Sequence, residues 1–168
     1  MTLTVTIAPV RKSVVVKVDA ARAFEVCTRG FDRWWPKKLP ADPRATQRTG
    51  ASSAVKESLI EPFAGGRWYT RCEDGYEVTI GHVLVWEPGR RLVLSWEFDA
   101  QWQPDAGAAS EVEVNFIAEG PDTTRVALEH RSFERLGQAG GDKMRRDVEG
   151  GWPARLEMYA KEVAGLSS

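Results

Sequence analysis

Two histidines are the polar residues best suited to chemistry near neutral pH, because imidazole titrates close to that range. In regular strands, both would share a face with apolar neighbours: His82 with Ile80 and Leu84, and His130 with Val126 and Leu128. A buried imidazole can hydrogen-bond a ligand or act as an acid or base. Two alternatives stay open. A histidine on an apolar face is usually a core residue bonded to a neighbour, and Gly81 can mark a bulge that turns His82 outward.

Large apolar side chains form the second candidate feature, since the chain has 7 tryptophans in 168 residues. Some of them must pack the core, but an aromatic-lined gap is also a typical small-molecule site. We expect a ligand cavity lined by Trp34, Trp68, His82, Trp96, Phe116, His130, Trp152 and Leu156. In one arrangement of this site, a ligand stacks on Trp152 and is hydrogen-bonded by His130.

Other familiar catalytic patterns are missing from the sequence. The glycine pairs at 65–66 and 150–151 fit neither nucleotide-binding fingerprint, and no serine lies in a nucleophile-elbow context. No third metal ligand accompanies the histidines. Cys27 and Cys72 are far apart and have no metal-site spacing, which favours two buried thiols. We therefore assign no catalytic residue, metal or cofactor.

Length, charge and hydropathy narrow the class of protein. A chain of 168 residues is expected to form one domain, residues 1–168, with a core spanning about 10–165. Its net charge of −1 provides no basic surface for nucleic acid. No apolar run approaches the length of about 18 residues that spans a membrane, and the first ten residues do not resemble a signal peptide. These features predict a cytoplasmic protein that binds neither nucleic acid nor membrane.

Short alternating segments predict strands around two small helical segments. Asp19 is a candidate N-cap for a helix that stops near Gly30, and a short turn holds residues 31–36. Residues 37–54 have no periodicity and form either a lid or a simple loop. Glu111 and Glu113 fall on the polar face of their strand, which we expect to be solvated. The predicted strands are 13–18, 55–60, 67–72, 76–87, 92–98, 111–116 and 124–133.

The last helix, from Gly141 to about Gly165, organises the predicted fold. Its apolar stripe recurs at helical spacing: Met144, Val148, Trp152, Leu156, Tyr159 and Val163. The opposite face should be solvated and carries Arg145, Arg146, Glu149, Arg155, Lys161 and Glu162. The sequence Gly-Gly-Trp-Pro at 150–153 should kink or locally break the helix, because proline lacks the backbone N–H. Short connections make the strands antiparallel, so we expect an α+β fold in which a curved antiparallel sheet wraps around this helix.

Several segments in this order resemble the heat-shock protein 90 ATPase activator-like (AHSA-type) family of the START-like, or SRPBCC, superfamily. The resemblance rests on residues 18–24, 34–36, 61–68, 81–96, 124–130 and 150–153, which read VDAARAF, WWP, EPFAGGRW, GHVLVWEPGRRLVLSW, TRVALEH and GGWP. It implies a helix-grip fold, also called a START-like or Bet v-type fold, in which a seven-stranded antiparallel sheet grips a long C-terminal helix around a deep apolar cavity. Eukaryotic activators carry a further N-terminal domain that engages the chaperone. Only a short segment precedes the first strand here, so we expect no chaperone contact.

The function remains open between two main classes. The first is a non-catalytic protein that binds a small apolar or aromatic molecule, as a monomer or a homodimer, and it is the reading that we prefer. The alternative is a cyclase-, aromatase- or hydrolase-like enzyme acting on such a molecule in the same cavity, which would require a cavity-facing acid–base group with a shifted pKa. A protein-interaction module would need an exposed apolar patch, which the pattern does not show.

Overall fold

The strands of the described residues form one antiparallel sheet of seven strands. The computed structural model describes residues 6–37 and 55–166. The strands are β1 (Val10–Val16), β2 (Val55–Ile60), β3 (Arg67–Cys72), β4 (Glu77–Glu87), β5 (Arg91–Trp96), β6 (Ser110–Gly120) and β7 (Thr123–Arg131). Their order across the sheet is β1-β7-β6-β5-β4-β3-β2, so the first two strands of the chain lie at opposite edges. The sheet curls into a half-barrel, as the α+β helix-grip prediction requires.

Among the described residues, three α-helices pack on the concave side of the sheet: α1 (Ala20–Thr28), α2 (Phe31–Trp34) and α3 (Gly137–Leu166). Short 3₁₀ turns occupy Ala106–Ala108 and Phe133–Leu136. The N-cap prediction is confirmed, since the backbone N–H of Arg22 donates to Oδ1 of Asp19 over 2.7 Å. The cap satisfies one of the N–H groups that the first helical turn leaves unpaired.

The long helix α3 has the predicted buried stripe but not the predicted interruption. All six expected stripe residues are buried, together with Gly141. The helix starts at Gly137 and continues through residues 150–153, so it has no local break there, and a kink stays a prediction. Trp152 and Leu156 are both packed in the core, and this packing holds the chain helical despite the missing N–H of Pro153.

Strand β4 departs from regular geometry around Gly81. Its pairing shifts by one residue against β3 between Trp68 and Tyr69, and again against β5 between Val83 and Val85. Each extra residue reverses the side of the sheet that the following side chains face. Ile80 and Val83 are therefore both buried, while Leu84 is 45% exposed.

His82 consequently lies on the outer face, and its prediction as an interior residue is wrong. The His82 side chain is 46% exposed, and its Nδ1 lies 2.6 Å from Oε2 of Glu97. The same carboxylate oxygen accepts a hydrogen bond from Ser95 Oγ over 2.5 Å. The alternative, a bulge at Gly81 that turns His82 outward, is what the structure contains.

The outer face of the sheet otherwise carries ion pairs, as expected for Glu111 and Glu113. Arg131 contacts both carboxylates, and Arg91 Nε lies 2.9 Å from Glu113 Oε2. The hydrogen bond from Arg91 outweighs partial burial and lowers the pKa of Glu113 to about 2. These pairs are partly solvated, so they make this face polar without contributing much stability.

The sequence analysis also concerned the cysteines, metal ligands, membrane spans and a lid. Cys27 and Cys72 are both buried, as predicted. Within residues 6–37 and 55–166, no group of three or more potential metal ligands occurs, and no helix is long and apolar enough to cross a membrane. The candidate lid at 37–54, apart from Lys37, lies outside the described residues.

Candidate ligand-binding site

An apolar cavity lies between the concave face of the sheet and the three helices. Its volume is about 30 Å³, enough for one or two water molecules. Its described wall consists of aromatic, aliphatic and cysteine side chains: Cys27, Phe31, Trp34, Trp35, Ile60, Trp68, Leu92, Leu94, Val112, Val114, Val126, Leu128, Trp152, Leu156 and Tyr159. In this conformation the side chains nearly fill the space that the fold encloses.

Three of the four described tryptophans in this wall are anchored by their indole N–H groups. Trp34 donates to the carbonyl oxygen of Val26 over 3.2 Å, and Trp68 donates to that of Ser95 over 2.8 Å. Trp152 donates to a side chain, Nδ1 of His130, over 3.1 Å. Each bond fixes the plane of an indole ring as well as satisfying a buried donor.

Trp35 is held differently. It lies at the C-cap of α2, and its ring stacks on Phe31 at a centroid distance of 4.8 Å. The guanidinium carbon of Arg155 lies 5.1 Å from the Trp35 ring centroid. Its indole N–H makes no hydrogen bond to another residue in the described part of the chain, and within that part the Trp35 side chain is held over the cavity by its ring contacts.

His130 does not line the cavity, because protein groups occupy both of its ring nitrogens. Nδ1 accepts the Trp152 N–H, which leaves Nε2 as the protonated nitrogen, 2.8 Å from Ser110 Oγ. The ring also stacks on Phe133 at 4.8 Å. Burial lowers the pKa of His130 to about 3, so the ring is neutral at physiological pH. This geometry favours the alternative reading, a core histidine bonded to its neighbours.

The titratable groups of the cavity wall are also neutral near pH 7. Burial raises the pKa of the Cys27 thiol to about 12. Burial, and secondarily the nearby Cys27, raise the pKa of Tyr159, whose hydroxyl donates to the carbonyl oxygen of Ala23 over 2.7 Å. The described wall therefore presents no ionised group to a molecule inside.

A second, more polar pocket of about 120 Å³ adjoins the cavity. We call it the Arg155 pocket, and its described lining is Trp96, Trp102, Asp147, Val148, Trp152 and Arg155. Trp152 belongs to the lining of both the apolar cavity and the Arg155 pocket.

The structure places the eight predicted site residues in five different locations. The apolar cavity brings together Trp34, Trp68, Trp152 and Leu156, whereas Trp96 lines the Arg155 pocket. Phe116 is buried elsewhere on the concave face, against Phe24 at 5.2 Å. His130 is a buried neighbour of Trp96 and Trp152, and His82 is on the other side of the sheet. Lining residues that the sequence analysis did not select include Trp35, Trp102, Arg155 and Tyr159.

Two solved structures resemble this chain in both sequence and fold. An anthrahydroquino-γ-pyrone synthase, Txn09, is 34% identical with a TM-score of 0.60, and the match covers 93% of this chain and 97% of that one. CalC from Micromonospora echinospora, described as a self-sacrificing resistance protein, is 31% identical with a TM-score of 0.62 over 92% of this chain and 93% of that one.

A curated relative and a family model complete the comparison. Protein bark beetle of Drosophila melanogaster is 26% identical over an alignment of 132 residues, and the match covers 74% of this chain but only 4% of that much longer protein. The model of the family described as Activator of Hsp90 ATPase homolog 1-like protein matches residues 17–164, which include α1, α2 and β2–β7 and nearly all of α3. The chain belongs to this family.

Proposed function

We propose that this protein binds a small, flat, largely apolar aromatic molecule between the sheet and α3. The observation that carries the proposal is the composition of the cavity wall, in which four tryptophans face a space with no ionised group among its described residues. Indole rings offer wide apolar faces for stacking against an aromatic ligand. A core that needed only packing would be built more simply from aliphatic side chains with well-defined rotamers.

The two similar solved structures support this class of ligand. Txn09 is named as the synthase of an anthrahydroquino-γ-pyrone, a fused-ring aromatic compound, and it aligns with nearly the whole chain. CalC, in contrast, is described as a resistance protein and not as a synthase. The same fold, at more than 30% identity to this chain, thus serves one protein named for making an aromatic product and another named for protection.

Binding requires the cavity to open, because about 30 Å³ is far below the roughly 300–1,000 Å³ of a typical ligand pocket. Trp35 is the side chain that can move at the lowest cost, since its displacement breaks no hydrogen bond to a described residue. Trp34, Trp68 and Trp152 would each leave a buried acceptor without its donor. In this account the ligand takes the place of the Trp35 ring.

Catalysis of ring closure is a second candidate, favoured by the 34% identity to a named synthase. Cys27 and Tyr159 are the titratable groups of the described wall, and burial keeps both protonated near pH 7. Neither is then a general base. The wall can still promote a reaction by holding a flexible substrate in a reactive conformation away from water. Cys27→Ser and Tyr159→Phe variants would retain such an activity.

The binding proposal is tested by calorimetric titration with anthracene carboxamide, a neutral flat probe. Leu156→Phe adds a ring at the cavity wall and should weaken binding by roughly tenfold or more, because little free volume remains there. Met158→Phe is the matched control, since Met158 is on the same helix but 40% exposed, and it should bind as the wild type does. Absence of saturable binding by the wild type, or equal weakening by both variants, would contradict the proposal.

A further inference from the structure

Arg155 is a half-buried cation that forms no ion pair with an acidic residue in the described part of the chain. The pattern of α3 places it on the solvated face, yet its Nε is buried and has no acceptor in the described part of the chain. Its Nη1 donates to the carbonyl oxygen of Gly151 over 3.2 Å, and no described carboxylate forms an ion pair with it. Burial lowers the pKa of Arg155 from its usual value, although a guanidinium remains charged at neutral pH.

A second unpaired donor lines the same pocket. The indole Nε1 of Trp96 is buried and, among the described residues, has no hydrogen-bond acceptor. Trp96 and Arg155 both belong to the lining of the Arg155 pocket. Leaving one buried donor unsatisfied costs about 1–3 kcal/mol, and more for a charged group. Two such donors, on residues that line one pocket, would each gain from an oxygen acceptor placed there.

The position of Arg155 depends on a glycine one helical turn earlier. A Cβ atom at Gly151 would lie 2.6 Å from Nη1 of Arg155, so only glycine leaves room for the guanidinium where it is. On its other side, the guanidinium lies over the Trp35 ring. The neighbouring Gly150 differs, because a Cβ atom there meets no atom within 4 Å. Gly151 therefore leaves room for the Arg155 guanidinium, whereas Gly150 does not contact it.

Asp147, the acidic residue of the pocket, is already hydrogen-bonded by other groups. Oδ2 of Asp147 accepts from Lys143 Nζ over 2.8 Å and from Trp102 Nε1 over 3.0 Å. Burial opposes ionisation of Asp147, but these two hydrogen bonds outweigh it and lower its pKa. Asp147 is thus bonded to Lys143 and Trp102, and the charge of Arg155 stays available for a ligand.

We propose that the ligand is an aromatic acid whose rings occupy the apolar cavity and whose carboxylate enters the Arg155 pocket, where Arg155 and Trp96 donate to its oxygens. This inference rests on the proposed function and adds the class of ligand to it. Trp152, which borders both spaces, separates the part of the site that holds rings from the part that holds the carboxylate. A carboxylate has two acceptor oxygens and a charge opposite to that of the guanidinium, which makes charge-assisted hydrogen bonds stronger than neutral ones.

The test compares anthracene carboxylate with the neutral anthracene carboxamide of the same substitution pattern, by calorimetric titration. The wild type should bind the carboxylate at least roughly tenfold more tightly than the carboxamide. Arg155→Met should remove this preference, so that the two probes bind with similar affinity. Gly151→Ala should reduce the preference by displacing the guanidinium, and Gly150→Ala should leave it as in the wild type.

The outcomes separate this inference from the proposed function. If the carboxamide binds in the cavity but the carboxylate gains no affinity, or if Arg155→Met does not alter the preference, the inference is wrong and the proposed function stands. If neither probe binds, the proposed function fails and the inference fails with it. Arg155→Met should also melt no lower than the wild type, because it removes a charge that lacks an acidic partner. If that variant does not fold, Gly151→Ala against Gly150→Ala decides the question.

Discussion

The indole nitrogen of Trp152 donates a hydrogen bond to Nδ1 of His130 over 3.1 Å, and this bond joins the long helix α3 to the last strand, β7. The other ring nitrogen of His130 lies 2.8 Å from Ser110 Oγ on β6. A single neutral imidazole thus connects the helix to two adjacent strands. It also fixes the orientation of the indole that stands between the apolar cavity and the Arg155 pocket.

The first prediction is that His130→Phe destabilises the protein. Phenylalanine preserves the ring volume but leaves the buried Trp152 N–H and Ser110 hydroxyl without their partner, at about 1–3 kcal/mol for each group. We expect the free energy of unfolding in a urea titration to fall by about 2–4 kcal/mol. Adding Ser110→Ala to this variant should recover part of the loss, because no hydroxyl is then stranded. A His130→Phe variant as stable as the wild type would show that the hydrogen bonds of His130 to Trp152 and Ser110 contribute little to stability.

The second prediction concerns pH. Burial lowers the pKa of folded His130 from 6.5 to about 3, so below pH 6.5 the unfolded chain binds a proton that the folded chain does not. The free energy of unfolding should therefore fall with decreasing pH by up to about 1.4 kcal/mol per unit. Above pH 6.5 this contribution is fully present.

The window between pH 6.5 and pH 4.5 isolates this effect. Glu113 loses its own contribution only below its ordinary pKa of 4.5, since its folded pKa is about 2. Urea titrations across the window should show the slope in the wild type and a clearly smaller slope in His130→Phe. Equal slopes in the two proteins would mean that His130 does not resist protonation.

Regular periodicity in the sequence was enough to predict the framework. The four-residue spacing of Met144, Val148 and Trp152 located the buried stripe of α3, and alternation located most strands. His82 was misplaced because a one-residue bulge in β4, opposite Trp68 and Tyr69, reverses the faces of the strand just before His82, and alternation alone does not count inserted residues. Gly81 was the signal for the first bulge, and its consequence for His82 depends on the backbone.

The third prediction is that Gly81→Ala strongly destabilises the sheet. A Cβ atom there would lie 1.8 Å from the carbonyl oxygen of Ser95 and 2.4 Å from Trp68 Nε1. The two strands would have to separate, and the hydrogen bond from Trp68 to Ser95 would be lost. We expect a decrease of about 3 kcal/mol in the free energy of unfolding.

Gly150→Ala is the control for this substitution. It introduces the same methyl group into open space on α3 and should stabilise the protein by up to about 1 kcal/mol, through helix propensity. If thermal melting shows both glycine variants to be equally stable, the close approach of β4 and β5 at Gly81 is not a constraint on the fold.

The fourth prediction is that Trp35→Leu speeds ligand entry. Leucine leaves space where the indole ring now covers the cavity, so the association rate of anthracene carboxamide, followed by stopped-flow fluorescence, should increase several-fold. Trp34→Leu removes an equally large ring from the adjacent position but also breaks the bond to Val26, and it should lower stability more than Trp35→Leu does. An unchanged association rate in Trp35→Leu would mean that another group limits entry.

Much of the candidate site could not be predicted from helical or strand spacing. Arg155 belongs by sequence to the polar face of α3. Its burial arises because Gly151 lacks a side chain and because Trp35, from a distant part of the chain, covers the guanidinium. Trp34 and Trp35 likewise differ only in their partners, since one donates to Val26 and the other is held by ring contacts. Such differences depend on tertiary packing, which no local pattern encodes.

If aromatic molecules bind between the sheet and α3, the indole N–H signals in NMR spectra of the protein should change on binding. The 7 tryptophans of the chain give separate reporters, which single Trp→Phe variants can assign. Titration with anthracene carboxamide should shift the signals of Trp34, Trp35, Trp68 and Trp152, while Trp86, which packs against Phe24 outside the cavity wall, should change little. Saturating shifts confined to Trp86, or no shifts at all up to the solubility limit of the probe, would contradict the account.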